Sequence, residues 1–152
     1  MTVIATFKSE EIFPLVKKRG IFTFNGIKVP TGTRKLRAFK KQPYCSCCGL
    51  EGNIFRLQSD KSNNIPYLQF FSERKAGGLV LMNRDHIIPY SQCGHNKESN
   101  LQTMCSWCNT AKGDKFLTKE VIEEIRSNMP FFNTLVPTSA KQRIIHIMKK
   151  NM

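Results

Sequence analysis

Asp85 and His86 stand side by side at the end of the apolar run LVLMNRDH, and Pro89 stops that run three residues later. An imidazole with an ordinary pKa near 6.5 is largely neutral at pH 7 and can take a proton. A carboxylate is a hard ligand for a divalent cation. Neighbouring side chains on a strand point to opposite faces. An Asp-His pair can therefore turn one group to a metal and the other to a water, given a twist of the backbone there. Downstream come Asn100, Asn109 and Lys112. An amide oxygen is a second hard ligand, and a lysine can reach a phosphate oxygen. Singly, each has an ordinary role, the acid-imidazole pair as a surface or capping contact and the asparagines in turns or caps. Their joint order carries the chemistry.

Six cysteines form the second constellation. Cys45-Ser46-Cys47-Cys48 is followed by Gly49, and Cys105-Ser106-Trp107-Cys108 by Asn109. The opening MTVIATFKSEEIF is interrupted by Lys8, Glu10 and Glu11 and does not read as a signal peptide. The thiols should then stay reduced in a cytoplasmic protein, and metal binding outranks disulfides. Two thiolate pairs in tight turns can fill all four corners around a zinc ion, which makes such a site structural. Fifty-six residues separate the pairs, far more than in a compact zinc finger, so a folded unit must fill the gap. Cys47 and Cys93 read as non-ligands, although Cys47 can compete with its neighbours.

Elements that position these groups can be read from patterning. Residues 9–19 predict a short helix starting at Ser9, weakened by Pro14. GIFTFNGIKVPTG predicts a hairpin turning at Asn25-Gly26, and TRKLRAFKKQ a short basic helix ending before Pro43. Ile54–Gln58 and Tyr67–Phe71 predict strands joined by the polar SDKSNN. LVLMNRDH follows as a strand after Gly77-Gly78, then a polar loop over 89–99, an extended NLQTMC and a helix over SWCNTAKGDK. Thr118 caps a helix over 118–128, with Val121, Ile122 and Ile125 at helical spacing, and TSAKQRIIHIMKK predicts another.

The chain carries 24 Lys and Arg against 11 Asp and Glu, a net charge of +13. Ten basic and two acidic residues fall in 1–44, whereas 85–116 holds three of each. A basic flank beside a neutral centre suits a polyanion-binding arm next to a chemical site. No apolar run reaches the roughly 20 residues of a membrane span.

Residues 84–114, RDHIIPYSQCGHNKESNLQTMCSWCNTAKGD, resemble the HNH nucleases, in the ββα-metal class and its zinc-stapled branch with two CxxC knuckles. That pattern runs D-H-I-x-P, a Gly-containing loop, then N-L-Q-x-x-C-x-x-C-N-x-x-K-G-D. The resemblance spans residues 45–116. It implies an α+β fold with a treble-clef-like ββα-metal core over 45–116; outside it, charge and patterning predict a basic hairpin/helix segment over 1–44 and a helical one over 117–152. Cys45, Cys48, Cys105 and Cys108 would hold structural Zn²⁺. His86 would be the general base, and Asp85 and Asn109 would hold a catalytic Mg²⁺ or Mn²⁺. Asn100 would hold the loop and orient the histidine. Lys112, Arg84 and Lys115 would meet nucleic acid near the site, and Arg34, Lys35 and Arg37 would clamp its backbone. The implied reaction is hydrolysis of DNA phosphodiesters to 5′-phosphate and 3′-hydroxyl ends.

One position departs from the family name, since Asn109 stands where a third His is implied. An amide oxygen with a carboxylate favours Mg²⁺ or Mn²⁺ over Zn²⁺. The substrate read from charge and resemblance is double-stranded DNA, with RNA as an alternative polyanion. A single site cuts one strand at a time, so a double-strand break would need a homodimer or sequential nicking. A small basic nuclease suits a phage or mobile element. The rivals are a zinc-dependent nucleic-acid-binding module without catalysis, and a structural zinc protein with a protein partner.

Overall fold

A computed structural model describes residues 1–60, 65–75 and 77–128. The chain opens with β1 (Thr2–Lys8), which patterning did not indicate. Val3 and Ile4 are both exposed, so the strand lacks the alternation that marks a half-buried one. Phe7 anchors it instead, edge-on to Phe22 and Phe24 at 4.9 and 5.4 Å.

The helix predicted over 9–19 is cut short. α1 (Ser9–Ile12) passes into a single 3-10 turn over Phe13–Leu15, because Pro14 has no N–H to continue the ladder. Its start is fixed by the Lys8 N–H, which donates to Glu11 Oε2 at 2.7 Å. β2 (Ile21–Phe24) and β3 (Ile27–Pro30) form the expected hairpin. Asn25 and Gly26 both take positive φ, as a tight two-residue turn requires.

α2 (Arg34–Lys41) starts at Thr33, whose hydroxyl accepts from the Leu36 N–H at 3.2 Å. It buries Leu36, Ala38 and Phe39. β4 (Ile54–Ser59), β5 (Tyr67–Glu73), β6 (Leu79–His86) and β7 (Leu101–Cys105) complete an antiparallel five-stranded sheet in the order β1-β4-β5-β6-β7. The first 44 residues are thus built into the sheet and against it, through β1 on β4 and α2 on β6 and β7.

Aromatic rings fill the centre. Phe55 and Phe70 stack at 4.7 Å, Phe39 tilts onto Phe70 at 4.9 Å, and Phe13 meets Phe55 edge-on at 5.4 Å. Full burial of a ring, as for Phe39, Phe55 and Phe70, contributes about 1.5–3 kcal/mol. Gly52 is required beside them, since a Cβ there would lie 2.3 Å from the Phe70 ring.

α3 (Ser106–Lys112) follows β7 directly, and α4 (Lys119–Ser127) packs on it. Thr118 caps α4 as predicted, its hydroxyl accepting from the Val121 N–H at 3.3 Å, and Ile122 and Ile125 are buried. The helix predicted in TSAKQRIIHIMKK lies outside the described residues. The class is α+β, with the β6–β7 hairpin and α3 forming a ββα unit. Among the described residues no helix is long and apolar enough to cross a membrane.

Candidate active site

The two cysteine pairs, distant in sequence, meet in space. Cys45 and Cys48 sit in the turn between α2 and β4, where Gly49 takes a φ of 73° and its N–H donates to the Cys45 carbonyl at 2.9 Å. Cys105 ends β7 and Cys108 lies in the first turn of α3. The Ser46 N–H donates to the Thr103 carbonyl at 2.8 Å and ties the first turn to β7. The sulfurs of Cys45, Cys48, Cys105 and Cys108 all lie within 4.8 Å of one another, and all four residues are buried.

Zinc–sulfur bonds of about 2.3 Å in a tetrahedron place sulfurs about 3.8 Å apart. Cys48 Sγ and Cys105 Sγ are 3.7 Å apart, so the residues present fit such an ion. The N–H groups of Cys47 and Cys48 point at Cys45 Sγ, and that of Leu50 at Cys48 Sγ, each at 3.4 Å. Such donors stabilise negative sulfur. Burial works to raise the Cys45 thiol, yet the thiols of Cys105, Cys108 and Cys48 pull it well below the ordinary range. Contact with Cys105 drives Cys48 and Cys108 the other way, well above it. The cluster favours a thiolate, the form a metal binds. Cys47 is buried with its thiol against Cys108, outside this group of four, and Cys93 is exposed.

β6 ends in Asp85 and His86, which face Gln102 and Leu101 across the ladder. The two side chains part there. Asp85 Oδ2 accepts from Gln102 Nε2 at 2.9 Å and lies 3.0 Å from Lys112 Nζ on α3. His86 turns to the loop over 87–100, with its Nε2 2.6 Å from Asn96 Oδ1 and its ring edge-on to Tyr90 at 4.8 Å. The adjacency of acid and imidazole thus serves two neighbourhoods from one strand end.

Asn100 is 4% exposed and holds that loop closed. Its Oδ1 accepts from the Ile88 N–H at 2.8 Å, and its Nδ2 donates to the carbonyls of Ile88 and His95 at 3.1 and 2.8 Å. Gly94 belongs to the same closure, since a Cβ would come within 1.8 Å of the Ile88 carbonyl oxygen.

Asn109 is half-buried on α3, and its side-chain amide makes no hydrogen bond to any described residue. It stands three residues before Lys112, on a neighbouring part of the same helix face. Lys112, read from the sequence as a phosphate contact, is 1% exposed, with its ammonium on Asp85 and 3.5 Å from the His86 carbonyl. Lys115 is exposed and pairs with Glu124 at 3.6 Å.

Lys35 is lowered by burial and then by the charge of Arg84. Neither forms an ion pair among the described residues; Lys35 Nζ donates to Gln69 Oε1 at 3.3 Å. Arg34 donates from Nη1 to the Asn96 carbonyl at 3.4 Å, and Arg37 pairs with Glu98 at 3.0 Å. Asn96 and Gln102 are the contacts that sequence reading missed. Gln102 had a signal, in facing Asp85 across a hairpin; Asn96 had none.

The β6–β7 hairpin and α3 form a ββα unit beside a four-cysteine cluster that could hold a metal, with an acid and an imidazole at the end of β6. The HNH endonuclease family model matches residues 79–122, from the start of β6 into α4. No curated protein and no solved structure matches the chain.

Proposed function

We propose that the protein is a metal-dependent endonuclease that hydrolyses DNA phosphodiester bonds, with His86 as general base. The observation that carries this is the parting of Asp85 and His86 into two partner sets at one strand end. The Asp85 carboxylate and the free Asn109 amide are a hard donor pair on facing elements, suited to Mg²⁺ or Mn²⁺. Such an ion, when bound, would stabilise charge on the phosphate and the leaving oxygen. The four cysteines are assigned to structural Zn²⁺.

The residues of the chain supply the rest. His86 presents Nδ1, which has no hydrogen bond among the described residues, as the nitrogen that takes a proton from the attacking water. Asn100 keeps the loop backbone fixed beneath it. Lys35 and Arg84 offer a pair of cations without acidic partners, as a phosphate contact requires. The substrate assigned is double-stranded DNA, in a reducing cytoplasm.

Supercoiled plasmid with Mg²⁺ provides the test. Wild type should relax or linearise it, and His86→Ala, shown to be folded and zinc-loaded, should not. Equal cutting by both would remove His86 from the reaction.

A second reading is a nucleic-acid-binding module without catalysis. Lys112 favours it, because its ammonium already balances the Asp85 carboxylate. In that case both proteins would retard DNA in a gel and neither would cut it.

A further inference from the structure

We propose that Asn96 is the positioning residue of His86, and that α2 holds Asn96 in place. The catalytic consequence rests on the endonuclease reading; the contact itself does not.

An amide oxygen only accepts hydrogen bonds. With Asn96 Oδ1 2.6 Å from His86 Nε2, the ring must carry its hydrogen on Nε2, and the lone pair is left on Nδ1. The edge-on Tyr90 ring restrains rotation of the imidazole. One contact therefore fixes both the orientation of the ring and the nitrogen that can accept a proton.

Asn96 is itself braced on both sides. Its carbonyl accepts from Arg34 on α2, and two residues on, Glu98 is paired with Arg37 of the same helix. On the preceding side the His95 carbonyl accepts from Asn100, while His95 Nδ1 accepts from the Lys97 N–H at 3.2 Å. The short helix that buries Phe39 in the core thus reaches the imidazole through a single loop residue. A mere loop-closing role for Asn96 would not account for the side chain meeting the ring nitrogen.

The full-length zinc-loaded protein, labelled with ¹⁵N-histidine and held at a pH where the ring is neutral, reports the contact directly. The Hε2 proton of His86, identified by its loss in His86→Gln, should exchange slowly with water in the wild type and in Asn96→Asp, which keeps the acceptor. It should vanish in Asn96→Ala at unchanged zinc content and circular dichroism. Plasmid cleavage should fall about 10–100-fold in kcat with little change in KM for Asn96→Ala, the usual effect of losing an orienting partner. Asn96→Asp should recover most of it. Should Asn96→Ala not fold, Arg34→Ala carries the test, with faster exchange of the same proton expected. An Nδ1-protonated ring in the wild type, a slow Hε2 proton that survives Asn96→Ala, or wild-type cleavage after its loss would each overturn the proposal. A wild type that shows the proton but cuts no DNA would sink the endonuclease reading and leave the contact established.

Discussion

Lys112 Nζ lies 3.0 Å from Asp85 Oδ2, and the lysine is 1% exposed while the carboxylate is 14% exposed. An ammonium so placed is charge-balanced by one acid, and removing either partner leaves the other stranded. Lys112→Met should therefore cost about 3–5 kcal/mol of stability, the usual penalty for breaking a buried pair. The double variant Asp85→Asn/Lys112→Met should regain much of that loss. Urea unfolding of the zinc-loaded proteins measures both, and additive losses would mean that the two side chains do not depend on each other.

The same pair bears on the proposed catalytic ion. Lys112 occupies the carboxylate that a divalent cation would need, so its removal should tighten Mn²⁺ binding about tenfold, or 1.4 kcal/mol. Calorimetric titration of Lys112→Met against wild type checks the direction. Weaker binding in the variant would show that the lysine orients Asp85 for the ion and does not compete with it.

On the proposed reading, Asn109 would set the choice of metal. With an amide in place of an imidazole, Mg²⁺ or Mn²⁺ should restore cleavage to protein stripped of its catalytic ion, and Zn²⁺ should restore little. Titrating each ion separately decides it. Zn²⁺ outperforming both would take Asn109 out of the ligand set.

The cysteine cluster should govern folding itself. Structural zinc in small modules contributes about 10–16 kcal/mol of apparent binding free energy. Cys45→Ser or Cys108→Ser should leave a largely unfolded chain without zinc, seen by circular dichroism and metal analysis. Cys47→Ser, outside the group of four, should keep one zinc per chain.

Lys35 and Arg84 are the cations to test for DNA binding. Each →Gln change should weaken binding and lower the steepness of its salt dependence by about one. An unchanged slope would assign the phosphate contacts to other basic residues.

Much of this was legible in the sequence where a local pattern decides the outcome. Asn25-Gly26 dictated its turn and Thr118 its cap. Asp85, His86, Asn100 and the two cysteine pairs could be picked out by type and order, and the structure brings the two cysteine pairs together and seats Asn100 on Ile88 and His95. What stayed hidden depends on the path of a loop. Asn96 reaches His86 because the 87–100 segment folds back under Asn100 and Gly94, and no periodicity encodes that return. Lys112 turns inward because a carboxylate awaits it across the helix–strand contact, which spacing on α3 alone could not reveal. β1 escaped notice because an edge strand with exposed Val3 and Ile4 carries no alternation.

Ser46 docks on Thr103, and the cysteine cluster draws half of its sulfurs from each end of a 56-residue stretch. The span matched by the family model holds only Cys105 and Cys108, and it lacks the helix that steadies the loop beside His86. An excised 79–122 fragment would accordingly be a nuclease motif without its staple or its splint. Moving this unit onto another scaffold would mean transplanting α2 and the first cysteine turn along with the β6–β7 hairpin and α3.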